Sequence, residues 1–138
     1  MEAVNFILNN NTFHFDDNYY LQKCGTAMGT KMAPTYATLF MGYLEEKFYT
    51  EIEKRFDANV RLYFENNWLR YLDDCFIIWK NEFGEIDELH DILMNLHPAI
   101  TFKWQTDPNK INFLDITVIK EETNLKTDIF YKVTDTHQ

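Results

Sequence analysis

The sequence predicts an α+β fold, an antiparallel sheet with two helices packed on one face, and three observations carry that expectation. Residues 34–56 and 85–96 place apolar side chains at three- and four-residue steps, the period of an amphipathic helix. Between and after them, short runs rich in aromatic and β-branched residues are bounded by turn formers, the pattern of half-buried strands. At 138 residues the chain suits a single domain, and 46% hydrophobic with 17% aromatic residues is ample for one core.

In chain order, residues 13–23 read as strand, polar turn and strand, with Asp16 and Asp17 as turn residues. A glycine-bearing loop follows, and Pro34 suits the first turn of the helix after it. In that helix Leu39, Phe40, Tyr43, Leu44, Phe48 and Ile52 form the apolar stripe, while Glu45, Glu46, Lys47, Glu51, Glu53 and Lys54 supply the solvated part. Residues 59–67 fit either class. Residues 68–79 predict a hairpin, 81–84 a loop, and 85–96 a second helix with Ile86, Leu89, Ile92, Leu93 and Leu96 on one side, stopped by His97-Pro98. The remaining strands centre on Phe102 and Trp104, on Phe113, Ile116 and Val118, and on Ile129, Tyr131 and Val133. Asp107-Pro108-Asn109 and Glu121-Glu122-Thr123-Asn124 are the turns between them. No internal repeat, low-complexity segment or linker interrupts the chain.

Several function classes are disfavoured. No apolar run approaches the roughly 20 residues that span a bilayer, and the first residues do not form a cationic-then-apolar signal peptide, so no membrane partner is expected and an intracellular place, nucleus or cytoplasm, is the default. Cys24 and Cys75 lack a Cys/His partner pattern, which argues against zinc and disulfides, and His14, His90, His97 and His137 lack ligand spacing. The formal charge of −9 is awkward for a chain that grips nucleic acid unaided.

The most informative string is Arg70-Tyr71-Leu72-Asp73-Asp74-Cys75-Phe76, which sets adjacent carboxylates at a tight turn between two apolar runs. Neighbouring carboxylates repel each other unless a cation lies beside them, and hard oxygen donors suit Mg²⁺. An ordinary solvated turn uses the same residues. Gly25-Thr26-Ala27-Met28-Gly29-Thr30-Lys31-Met32-Ala33-Pro34 is the second string; glycines four apart permit close backbone approach of a ligand or tolerate positive φ. An ordinary glycine loop before a helix also fits.

Tyr71-Leu72-Asp73-Asp74 resembles the Tyr-x-Asp-Asp box, motif C, of reverse transcriptases, and Gly25 through Pro34 resembles their motif B. With Tyr20-Leu21-Gln22, Leu39-Phe40-Met41, Leu44-Glu45, Phe113-Leu114-Asp115 and Thr134-Asp135-Thr136-His137-Gln138, the chain resembles the Penelope-like retroelement reverse transcriptases nearly end to end. Met28 stands where many other reverse transcriptases have Gln, so no side-chain hydrogen bond to a nucleotide is carried over there.

The resemblance implies that residues 1–138 are a partial reverse transcriptase domain: the palm of a right-hand polymerase from motif B to motif E, with motif A, most of the fingers and the thumb outside the chain. It implies RNA-directed DNA polymerase activity in the intact protein, a nucleotidyltransferase with RNA template, DNA primer and deoxynucleotides as partners. Two Mg²⁺ ions about 4 Å apart, with Mn²⁺ as a substitute, would clamp the attacking and leaving oxygens. Asp73 is then the direct metal ligand and Asp74 a supporting carboxylate. Gly25, Gly29, Lys31 and Pro34 would line the nucleotide and template, and Tyr71, Phe113 and Leu114 would meet the primer. Without motif A the isolated chain is expected to be inactive. The alternative is a non-catalytic retroelement remnant with weak nucleic-acid or protein binding.

Overall fold

Hydrophobic spacing builds the helices and two-residue turns build the strands. A computed structural model describes residues 2–132; Val133 and the string Thr134 to Gln138, with His137, lie outside the described residues. Four α-helices, α1 (Glu2–Asn9), α2 (Ala33–Arg55), α3 (Ala58–Asn67) and α4 (Ile86–Asn95), occur among them. The seven strands are β1 (Thr12–Phe15), β2 (Asn18–Leu21), β3 (Leu69–Tyr71), β4 (Asp74–Phe76), β5 (Lys110–Phe113), β6 (Ile116–Glu121) and β7 (Asn124–Ile129). The class is α+β, and every pairing is antiparallel.

The strands do not join one sheet among the described residues: they form the pairs β1–β2 and β3–β4 and the three-stranded meander β5–β6–β7. Each pairing is between chain neighbours across two residues, the cheapest contact in loop entropy. The chain divides into two compact units, Met1–Glu45 and Glu46–Gln138.

In the first unit, Asp16 and Asp17 make the β1–β2 turn with φ of 48° and 56°. Positive φ at both central positions is the I′ pattern, whose twist matches that of paired strands. Asn18 Nδ2 donates to Asp16 O at 2.8 Å and steadies the turn. Phe13 stacks on Tyr20 at 5.4 Å, and His14 meets Tyr19 at 5.0 Å across the strands.

The second unit owns a core of Phe48 and Ile52 from α2, Val60 and Phe64 from α3, and Leu89 and Leu93 from α4, all buried. Each such side chain contributes roughly 1.5–3 kcal/mol by leaving water. All six come from helices; the expected core between helices and one sheet face is replaced by a helical core on which Trp68, Ile77, Trp79, Phe102 and Trp104 pack. The ambiguous segment 59–67 is α3 because Asp57 caps it, its Oδ1 accepting from Asn59 N–H at 2.7 Å and Val60 N–H at 2.9 Å. Such a cap is worth about 1 kcal/mol. Phe102 and Trp104 lie outside any helix or strand, and Tyr131 lies beyond the end of β7.

Candidate hairpin site and glycine loop

Trp68 and Phe76 explain why the hairpin carrying Asp73 stands where it does. Trp68 meets Phe48 at 4.9 Å and Phe64 at 6.4 Å just before β3, while Phe76 meets Phe113 of β5 at 5.3 Å at the end of β4. Aromatic pairs at such separations add about 0.5–1.5 kcal/mol beyond their burial. Beyond β4, Tyr63 O–H donates to Ile78 O at 2.7 Å, holding the returning chain to α3. Burial, and then the Glu82 charge, push the Tyr63 phenol up from its ordinary value. The base of the hairpin is therefore fixed to the core and its tip faces water.

At the tip, Tyr71 pairs with Asp74, so the turn is Leu72-Asp73 and Asp74 is the first residue of β4. This corrects the expectation of both carboxylates within the turn. Leu72 has φ of 57° whereas Asp73 does not have positive φ, the II′ pattern that normally selects glycine at its first central position. Such a conformation costs a leucine about 1–2 kcal/mol. Arg70 Nη1 donates to Leu72 O at 3.2 Å. Asp73, Asp74, Tyr71 and Leu72 are exposed, while Cys75 is half-buried.

The carboxylates have the right chemistry for Mg²⁺ but do not complete its shell. Among the described residues no cluster of three or more His, Cys, Asp or Glu is placed to hold a metal ion. Two adjacent oxygen donors fit part of an octahedral sphere, and sites of this kind take their remaining oxygens from water and substrate phosphates.

Phe113 and Leu114, expected at the primer, lie in the same unit. Phe113 is half-buried against Phe76, which joins the two hairpins, and Leu114 occupies the β5–β6 turn with φ of 54°. Packing thus accounts for Phe113. The repeated pair, Leu72-Asp73 and Leu114-Asp115, is visible in the sequence, but no residue preference signals the backbone conformation that the two leucines share.

The other expected residues lie in the first unit. Gly25 and Gly29 have φ of 77° and 96°, so the backbone itself calls for glycine at both. A Cβ on Gly29 would meet no atom within 4 Å, leaving open space beside the chain, while one on Gly25 would stand 3.5 Å from Gln22 Nε2. Ala27 O accepts from Thr30 N–H at 3.5 Å and Thr30 Oγ1 at 3.1 Å, and Thr30 O accepts from Ala33 N–H at 3.0 Å, leading the loop into α2. Pro34 sits in the first turn of α2, where a missing N–H costs nothing. Lys31 and Met28 are exposed. Among the described residues no helix is long and apolar enough to cross a membrane.

Comparison with protein-family models, curated proteins and solved structures finds no match.

Proposed function

We propose that this chain is the palm portion, motifs B to E, of an RNA-directed DNA polymerase of the Penelope-like retroelement type. The observation that carries the reading is the hairpin of Tyr71-Leu72-Asp73-Asp74, anchored by aromatic packing at its base and presenting two exposed carboxylates at its tip. A glycine loop with open space beside Gly29, running into α2, supports it from the first unit. In this reading the antiparallel strands belong to the palm of a right-hand polymerase.

Each residue then has a physical task. Asp73, in the turn, offers its carboxylate without steric hindrance, and Asp74, held in β4, adds a second whose backbone is fixed by the pairing with Tyr71. Both would hold Mg²⁺ with donors from outside these residues; when bound, the metal supplies charge stabilisation at the phosphate. Tyr71 would brace the primer end, and Phe113 and Leu114 would also meet the primer. Lys31 would meet phosphate, and Gly25, Gly29 and Pro34 would shape the loop beside template and nucleotide.

The second reading, a non-catalytic retroelement remnant with weak nucleic-acid or protein binding, is favoured by the net charge of −9 and by the two-carboxylate limit of the described site. Titration with Mn²⁺ tests the site on which the first reading rests. Asp73→Asn should abolish weak binding that Asp16→Asn and Asp17→Asn leave intact. Equal loss in all three variants, or loss only at Asp16 and Asp17, would refute the assignment.

A further inference from the structure

The outer edge of β7 is built as a self-complementary strand. Glu121 and Asn124 flank a two-residue turn, and such a flanking pair exchanges both backbone hydrogen bonds, with bonded pairs recurring every second residue. Asn124, Lys126 and Asp128 therefore direct their backbone groups at β6. Phe130 N–H, donating to Asp115 O at 2.9 Å, continues the same phase. Leu125, Thr127 and Ile129 direct theirs at the open edge, which no other described strand covers. All six residues of β7 are exposed, Leu125 at 53% and Ile129 at 64%.

Outward from Thr127, the strand sets Lys126 against Asp128 and Leu125 against Ile129. We infer that this edge is a self-association surface, on which a second copy of the chain pairs antiparallel about Thr127. In that register Thr127 faces Thr127 of the second copy, Leu125 faces its Ile129, and all three outward-directed residues lie in hydrogen-bonded pairs. Lys126 then faces Asp128 of the second copy twice over, in the non-bonded pairs where side chains come closest. A slip by one step in either direction would bring Lys126 onto Lys126 or Asp128 onto Asp128. Like charges directly opposite are destabilising, so charge selects the register.

A lysine on an edge strand ordinarily prevents such pairing. Here the opposing aspartate turns the same residue into a selector. Pairing would also set Leu125 and Ile129, which one copy leaves in water, beside their counterparts in the second copy. Two existing contacts would be exchanged. Asp128 Oδ1 accepts from Ile129 N–H at 2.8 Å, and Lys126 Nζ lies 3.7 Å from Glu121 Oε1 between largely exposed groups, a pair worth little.

Sedimentation equilibrium of the chain at near-physiological salt tests the inference. A dimer is expected, weakened at least about tenfold by Lys126→Asp and by Asp128→Lys alone, and restored to within about threefold by the double exchange. Thr127→Pro should leave the circular dichroism spectrum intact, because the lost N–H faces the open edge, and should abolish the dimer. A monomer up to about 1 mM overturns the inference, as does a dimer indifferent to the single exchanges or a double exchange that fails to restore association. The charge exchanges keep the test decisive if the proline variant does not fold.

Discussion

The β3–β4 and β5–β6 hairpins turn on the same dipeptide, Leu72-Asp73 in one and Leu114-Asp115 in the other, and each leucine takes positive φ, 57° and 54°. They touch through Phe76 and Phe113. They differ in the residue after the turn and in the placement of the leucine. Asp74 opens the return strand of the first, and Ile116 that of the second; Leu72 is exposed, whereas Leu114 is half-buried. The turn geometry is thus a structural device that does not depend on the dipeptide, for it recurs at Glu122, with φ of 40°, in the β6–β7 turn. Candidacy for metal chemistry rests on the second carboxylate and on the solvent-facing tip.

The largest expected effect breaks the two apart by activity. Under the proposed polymerase reading, with the chain joined to segments that complete a polymerase, Asp73→Ala should lower incorporation of labelled deoxynucleotide on an RNA template by about a hundredfold or more, the scale of losing one preorganised electrostatic group. Asp115→Ala should leave it within about threefold. Equal losses would make both carboxylates structural turn residues, and full activity of Asp73→Ala would remove the proposed site.

Next in size is the contact that couples them. Truncating Phe113 to Ala should cost about 2 kcal/mol in urea unfolding, below the 3–5 of a fully buried phenylalanine because Phe113 is only partly buried. A double-mutant cycle with Phe76→Leu and Phe113→Leu should return a coupling of about 1 kcal/mol. Additivity within error would mean that the rings are neighbours without energetic consequence, and that the hairpins are held independently.

The two leucines should respond to glycine with opposite sign. Leu72→Gly relieves about 1–2 kcal/mol of left-handed strain at an exposed site and adds back about 0.5–1 kcal/mol of chain entropy, a net gain of roughly 0.5 kcal/mol. Leu114→Gly has the same backbone balance but removes a half-buried apolar side chain, for a net loss of roughly 0.5–1 kcal/mol. Denaturation midpoints that move in the same direction would show that the two turns are energetically alike after all.

The contrast also marks what the sequence could reveal. Local periodicity was enough for α2 and α4, and flanking aromatic runs were enough for the β3–β4 hairpin and for Asp73 at its tip. Long-range partners were not legible: alternation identifies Phe102 and Trp104 as half-buried extended chain, but nothing local says whether a strand lies beside them. For the same reason, local pattern joined into one sheet what forms three among the described residues. Helix α1 has no counterpart in the sequence-based expectation, although Val4, Ile7 and Leu8 have helical spacing, and the start of α3 lay in the Asp57 cap rather than in its mixed apolar pattern. At the site, positive φ at Leu72 ran against the residue's own preference, so no propensity could announce it. The Phe76–Phe113 contact joins side chains far apart in sequence.

The smallest effect concerns how the two hairpins begin. Trp68 leads into β3 by packing, whereas Asp107 leads into β5 by hydrogen bonding, its Oδ1 accepting from Asn109 N–H and Lys110 N–H, each at 2.8 Å. The Lys110 and then the Asn109 backbone bonds hold this carboxyl below its ordinary value. Because the folded-state value is depressed, the bonds' contribution is present above the unfolded value near 3.8 and is lost as pH falls through the folded one. Amide chemical shifts of Asn109 and Lys110 should therefore titrate with a midpoint below 3.8 while the Trp68 indole signal stays still. In Asp107→Asn, whose amide oxygen still accepts but cannot lose a charge, that titration should vanish with the β5–β6 signals retained. A midpoint at or above the ordinary carboxylate value, or an equal response at Trp68, would show that the starts of β3 and β5 are not held by different physics.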